Sequence, residues 1–498
     1  MLDRFNKLIA KAKDGYSNYS SSFKSLNNAY LLNYSDEKRK FLYDHDKSAL
    51  YFPKLNAKAK RIMDALSQTY FESDKIALLE NNINSDDKIL EMWQYAFDYY
   101  TKSINLYAIL QPEFLKVAFL GTSIAKVYWD NDKPNIEMLD IDKVFFDPKA
   151  KNYDDVRYII HEFSLTKDDI KRYIKDKVYK NANLEFDSDD EYKRYKLYDI
   201  YELKKGKWVL STIFDDKAIL RQEIELKDGL PIICGYTLAQ VKKIGESDFI
   251  GVYGEPPLAS ILPLQDEFNN LKNASIEATK QHLYPKMLIN KNAQIDRDEL
   301  LNPTSPIYVK DLGAVSVLPK PDIHFATLNI QAIDNDMSET SGISPQQNGA
   351  TSVRAETATM SSIMANEGSV RLNGYIRTYN ETFIEPLFYQ FAKLIYKYGD
   401  PMFFVGVDRS EVMSFKLNLE CGIGALNKEV QKKNLIESSS LLGNHFQMCL
   451  AIQDTQGAEL IKNAHEELIA KLMSLFGIKD FDKYRKEKES DRLYESQQ

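Results

Sequence analysis

The sequence predicts an α+β protein built from several parts, and three observations carry that prediction. Residues 1 to about 118 repeat their apolar side chains at helical spacing, Thr122 to Ile233 repeat them every second residue, and long helical runs return beyond Pro256, broken by short strands. At 498 residues the chain is too long for one compact core, so several domains or one extended multi-part subunit follow.

The first part reads as helices in KLNAKAKRIMDALSQTYF and DDKILEMWQYAFDYYTKSINLYAIL, the second with N-cap chemistry from Ser85-Asp86-Asp87. FLKVAFLG closes this part at Gly121, a helix-terminating glycine. TSIAKVYWD, NIEMLDIDKVFFD and DVRYIIHEFSL then alternate as strands, with a turn at Asp130-Asn131-Asp132. A short helix follows, with Thr166 and Asp169 at capping-box spacing. The acidic run 183–192 reads as a solvated loop. Strands resume in KLYDIYELK, KWVLSTIFD and KAILRQEIEL, with turns at Lys205-Gly206 and Asp215-Asp216, and end at Leu230-Pro231-Ile232-Ile233.

From Pro257 a helix of about 26 residues runs to Pro285 and would span roughly 40 Å. Its apolar stripe is thin, running through Leu264, Phe268, Leu271, Ser275, Ala278 and His282, while Asp266, Asn269, Asn273, Glu277 and Lys280 lie off it. Such a helix is poorly buried in its own subunit and is expected to pack against copies of itself. A forty-residue insertion of short strands follows, too long for a plain connection. HFATLNIQAIDNDMSETSG forms a second helix with Ile330, Ile333 and Met337 on one face. The segment 343–353 is a polar, uncharged loop containing Pro345 and Gly349. From Arg354 a long helix extends to about Tyr398, with bends expected at Gly368, Gly374 and Pro386. MFFVGVD and VMSFKLNLECGIG read as returning strands, the remainder to about Phe476 as helix, and 479–498 as a frayed charged tail.

Charge and chemistry exclude more than they suggest. The balance of 65 basic and 73 acidic residues leaves −8, the opposite of a chain that grips many phosphates, and it suits a surface that DNA slides past. Cys234, Cys421 and Cys449 lack metal or disulfide spacing, which fits a reducing cytoplasm. No run is long and apolar enough for a signal peptide or membrane span, so a soluble chain made inside the host cell is expected. No P-loop, zincin, lipase or dinucleotide motif is present, and no cofactor is expected. One enzymatic constellation is present: Asp140 and Asp142 would share a strand face and, with Asp147 and His161, could hold a divalent metal for nuclease chemistry. Solvent-facing aspartates on a half-buried strand account for the same residues.

Several short motifs in order resemble bacteriophage portal proteins of the short-tailed, double-stranded-DNA phages. They are GVYG at 251–254, LPLQDEFNNL at 262–271, DNDMSETSGI at 334–343, TATM at 357–360 and RLNGY at 371–375, with GTSIAKVYWD and VFFDP upstream as a weaker part. The resemblance covers about 120 to 425 and implies a non-enzymatic ring, usually dodecameric, at one capsid vertex of the virion. It implies a wing from 1–121 and 122–250, and a first stem helix from 251–284. It further implies a clip at 285–323, a second stem helix at 324–341 and a tunnel loop at 342–353. A long bent helix with returning wing strands (354–424) and a crown (425–478) complete the pattern. Leu264, Phe268, Leu271, Ile330, Ile333 and Met337 would pack the stem, and Ser344, Gln346, Gln347, Asn348, Thr351 and Ser352 would face duplex DNA in the channel. Lys286, Lys291, Lys310 and Lys320 would meet the terminase and later the tail adaptor. The implied partners also include the major capsid and scaffolding proteins. The clip lysines depart from the acidic whole, with Asp296, Glu299, Asp311 and Asp322 nearby.

Overall fold

A computed structural model describes the chain except for residues 72–77, 81–86, 181–183, 185, 187–189, 216, 241–250, 285–286, 293–312, 314, 320–323, 344–369, 406–415, 419–427, 452–454 and 476–498. Contacts divide it into two compact units: Met1–Ser67 with Lys75–Leu419, and Gln68–Asp74 with Glu420–Gln498.

The larger unit mixes helices and antiparallel sheets, the α+β class expected. It opens with α1 (Leu2–Tyr30), α2 (Asp36–Asp44) and α3 (Lys54–Phe71), then β1 (Leu78–Glu80), α4 (Asp87–Ser103) and α5 (Leu106–Leu120). Ser85 and Asp86, the expected caps of α4, lie outside the described residues. α1 buries Phe5, Ile9, Ala12, Tyr16 and Phe23 in one cluster with Phe145, Ile160, Tyr198, Ile200 and Ile213 of the sheet beneath it. Lys13 fixes the docking by donating to the buried Glu162 carboxylate at 2.6 Å and to the Tyr198 hydroxyl at 2.9 Å. α5 ends as its sequence dictates: Gly121 adopts φ +72° and returns its N–H to the Val117 carbonyl at 2.8 Å. A Cβ there would stand 2.5 Å from the Glu255 carbonyl oxygen, so no other residue fits.

β2 (Thr122–Asp130) is the centre of a three-stranded sheet, flanked by β3 (Lys133–Leu139) and β9 (Ile232–Tyr236). The second sheet is a meander of β4 (Val144–Phe146), β5 (Tyr158–Thr166), β6 (Arg194–Lys204), β7 (Lys207–Phe214) and β8 (Ala218–Glu225). Its hairpins turn where positive φ is tolerated. Asn131 and Asp132 stand at +50° and +58°, Lys205 and Gly206 at +51° and +80°. Between β5 and β6 lies α6 (Lys167–Lys175), whose Thr166 cap accepts the Asp169 N–H and donates to the Asp169 carboxylate.

Three expectations are corrected here. Asp140 to Asp142 do not continue a strand: Ile141–Lys143 is a 3₁₀ turn, because Ile141 swings into the core. The acidic run is not wholly solvated, since Phe186 packs edge-on against Tyr195 and Phe214. MFFVGVD does not open as a strand. Pro401–Phe404 is a 3₁₀ turn capped by the Asp400 carboxylate, with proline in its first positions, where it can start a helix but not serve a ladder.

The remaining elements of this unit are α7 (Leu262–Leu283), β10 (Met287–Ile289), β11 (Val315–Val317), α8 (His324–Ser341), α9 (Glu385–Tyr398) and β12 (Lys416–Asn418), the last paired with β1. Residues 370–379 are helical and enter α9 through a π-helical turn at Asn380–Ile384. That turn sits immediately before Pro386, so one of the expected irregularities falls where proline demands it. Gly374 lies within the regular helix, and Gly368 lies outside the described residues. In the smaller unit α10 (Lys428–Ala451) and α11 (Thr455–Leu475) pack on each other, Ser439 Oγ meeting His465 Nε2 at 2.9 Å. No helix among the described residues is long and apolar enough to cross a membrane.

Candidate functional site

α7 and α8 pack side by side, and the way one end of the pair is held differs from the sequence expectation. Of the predicted stripe on α7 only Phe268 is buried, while Leu264 and Leu271 are half-buried. The face that is buried is polar: Gln265 and Asn269 are fully covered and Asn273 nearly so. Each takes up the backbone of an extended strap, residues 48–53, or of the first turn of α3 that follows it. The Ser48, Leu50 and Phe52 amides donate to Glu277, Asn273 and Asn269 at 2.6, 3.0 and 3.0 Å. Leu55 N–H donates to Gln265 Oε1 at 2.8 Å. In return Asn273 and Gln265 donate to the carbonyls of Leu50 and Phe52, both at 2.8 Å.

The geometry explains why this works. Two residues of extended chain advance about 6.6 Å and four residues of α-helix about 6.0 Å. Glu277, Asn273 and Asn269 therefore meet the amides of Ser48, Leu50 and Phe52 at every second strap position, and the strap's backbone is satisfied as though by a neighbouring strand, while Gln265 takes the Leu55 amide in the first turn of α3. The expectation that this helix is poorly buried in its own subunit is thus corrected for its inner half.

α8 is braced by the helix that follows the strap. Lys54 pairs with Asp334 at 2.8 Å and lies over the Phe268 ring of α7, 5.4 Å from its centroid, so one side chain touches both helices. Lys58, one turn on, donates to Ser338 Oγ at 3.2 Å and to the Ile343 carbonyl at 2.9 Å. Burial pushes the Lys58 ammonium down to about 8, against the pull of the Asp334 carboxylate. On α8, Ile330 and Met337 are buried and Ile333 half-buried.

The outer end of the same helix pair is bare. β10 and β11 form an antiparallel ribbon with Leu288 opposite Ser316. Leu283, Tyr284, Leu288, Phe325 and Leu328 are all exposed in the subunit, Tyr284 to 80%. Lys291 stands exposed in the turn after β10. Lys286, Lys310 and Lys320 lie outside the described residues, as do Ser344, Gln346, Gln347, Asn348, Thr351 and Ser352.

The four residues considered for metal chemistry do not converge. Asp140 is exposed and pairs with Lys116 at 3.0 Å, and Asp142 is exposed on the 3₁₀ turn. Asp147 accepts the Lys149 amide in a local turn at 3.1 Å. His161 is buried in β5 opposite Val144 and Asp199, where burial and then Lys126 push its imidazole down to about 4. Among the described residues no three carboxylate, histidine or cysteine side chains stand close enough to hold a metal ion.

Sequence reasoning missed Gln265, Asn269 and Asn273 as a binding face and the strap that covers them. The signal was present as carboxamides and a carboxylate at every fourth position through Glu277, but apolar periodicity does not register it. The geometry defines a helix pair held at one end by its own chain and exposing apolar side chains at the other among the described residues. A family model described as phage SU10 portal protein matches residues 251–498, the stretch that contains both helices and the ribbon between them. The chain is a phage portal protein, a capsid-associated component of the virion serving DNA packaging. A search of curated proteins found no match.

Proposed function

We propose that twelve copies of this chain close into a ring at a single capsid vertex, forming the channel through which the genome is packaged and later ejected. In this reading 251–284 and 324–341 are the stem, and 285–323 is the clip that receives terminase and then the tail adaptor through lysines such as Lys291. The tunnel loop is 342–353, presenting Ser344, Gln346, Gln347, Asn348, Thr351 and Ser352 to DNA. The wing comprises 1–121, 122–250 and the returning part of 354–424, and the crown is 425–478. Capsid and scaffolding proteins would contact the outside of the ring.

The observation that carries the reading is the contrast along the stem within the matched region. Its inner end is satisfied by its own chain, while Leu283, Tyr284, Leu288, Phe325 and Leu328 expose an apolar collar for which a neighbouring subunit is the natural cover. The formal charge of −8 per subunit adds support, because a net negative ring disfavours tight phosphate binding while DNA moves. Native mass measurement with negative-stain imaging tests it. Closed rings with a hole near the width of duplex DNA are expected; a monodisperse monomer or dimer at every concentration would overturn it. Deleting 344–352 is then expected to abolish packaging while rings still form.

A further inference from the structure

The α7–α8 pair presents two open faces at one level. On one side a groove of about 570 Å³ runs between the strap, α3, α7 and α8, walled by Phe52, Pro53, Ala57, Phe268 and Ile330 among others. It stays open because its α3 wall carries short side chains, Pro53 and Ala57, while Lys54 is drawn onto Asp334. Lys60, one turn on from Ala57 along the same face of α3, is exposed above the groove. Round the helix, Phe325, Leu328, Ala332, Asp336 and Glu339 follow one another at spacings of three and four residues, a single stripe along α8. All five are exposed, Phe325 to 68% and Leu328 to 48%. Ala332 lies two positions from Asp334 of the groove, about 160° around the helix, so stripe and groove open in nearly opposite directions.

The two faces also match in order. Lys54 meets Asp334 and Lys58 meets Ser338, four residues further on both helices, so α3 and α8 run in step. Carried two residues on, Lys60 stands level with the end of the stripe at Glu339. The stripe therefore runs from apolar (Phe325, Leu328, Ala332) to acidic (Asp336, Glu339), and the groove side runs from apolar to basic in the same direction. Lys60, Asp336 and Glu339 form no ion pair among the described residues. Asp64, a turn beyond Lys60, falls level with chain past the end of α8 at Ser341. Subunits of a cyclic ring are related by rotation alone, and a rotation moves no residue along its own axis. Two complementary faces at one level are what such a head-to-tail contact requires.

We propose that the groove of each subunit receives the α8 stripe of its neighbour, with Leu328 and Ala332 seated against Phe52, Ala57 and Phe268, and with Asp336 and Glu339 paired to Lys60. The proposal rests on the ring reading given above, with the helix pair along the ring axis, and names the surface that covers Leu328. The test uses the full-length protein and native mass on dilution. One variant carries Lys60→Glu, a second Asp336→Lys with Glu339→Lys, and a third all three substitutions. Each of the first two sets like charges against each other and is expected to raise the concentration at which half the rings dissociate by about tenfold or more. The third should return it to the parent's value. Mixing the first two should do the same, because alternating subunits then oppose unlike charges at every contact, and their assembly shows that both chains are folded. Ala332→Trp, too large for the groove, should weaken assembly by a similar factor without moving the unfolding midpoint of the dissociated subunit. Rings as stable as the parent's in every variant would overturn the pairing and leave the ring reading standing. Losses that neither the third variant nor mixing restores would do the same. A parent that forms no ring at any concentration would overturn both.

Discussion

α1 and α7 are both long, largely polar helices, yet they are buried by opposite means. α1 sets Phe5, Ile9, Ala12, Tyr16 and Phe23 against the sheet, so its burial is driven by apolar area. α7 sets Gln265, Asn269 and Asn273 against the strap, so its burial is specified by hydrogen bonds that would each be costly to strand. The first arrangement tolerates any well-fitting apolar side chain. The second accepts only groups that offer an acceptor and a donor at a fixed height along the helix, and so registers the strap on α7 to within one residue.

Substitutions can break or sharpen this contrast. The largest loss is expected for Phe5→Ala, about 3–5 kcal/mol by denaturant titration, because the ring is fully buried and leaves a cavity. A smaller effect from a fully apolar site would mean that α1 docks loosely.

Glu113 offers an intermediate case, a carboxyl 3% exposed on α5 that burial pushes up from 4.5 to about 7, with Lys116 opposing. Its folded pKa lies above its unfolded one, so between about pH 4.5 and 7 the folded chain holds the extra proton and stability falls as pH rises. Glu113→Gln should therefore stabilise the protein at pH 8 by up to ~3 kcal/mol and make no difference below pH 4.5. A pH-independent difference between the two proteins would refute burial as the cause.

Asn273→Leu keeps the bulk and removes the polar partner of Leu50. A loss of about 2 kcal/mol is expected, with hydrogen exchange accelerating first at Leu50. A neutral or stabilising outcome would show that an apolar stripe serves equally well and would remove the distinction drawn here. The smallest effect is expected for Leu271→Ala, under about 1 kcal/mol in unfolding of the subunit, since that side chain is only half-buried. Under the proposed ring its expected consequence is weaker assembly, measured by native mass on dilution.

Much of the fold was legible in particular residues. Gly121, Asn131-Asp132, Lys205-Gly206 and the Thr166–Asp169 cap act through local backbone geometry, which a sequence states directly. Period-two alternation located β2 and β5 to β8 because each sheet has distinct faces. Ile141 was misread because a strand that must bend to bury one side chain looks, in sequence, like a strand that continues. The candidate site was legible only as two helices flanking an insertion. Phe268, Ile330 and Met337 were found by their apolar character, whereas Lys58 has no local signature, its partner Ile343 lying 285 residues away, and the carboxamide ladder shows only as a polar spacing that apolar periodicity does not weigh.

The sequence by itself determined the division into helical, β-rich and helical parts, the helix ends and hairpin turns, and the absence of a phosphate-binding loop, since each depends on neighbours within a few residues. Tertiary structure alone decided that a polar helix face would be covered by the chain's own strap, and that Lys58 would reach Ser338 and the Ile343 carbonyl. The physical reason is that a hydrogen bond between distant residues needs both partners at one place, and a sequence lists the groups without saying which of them meet.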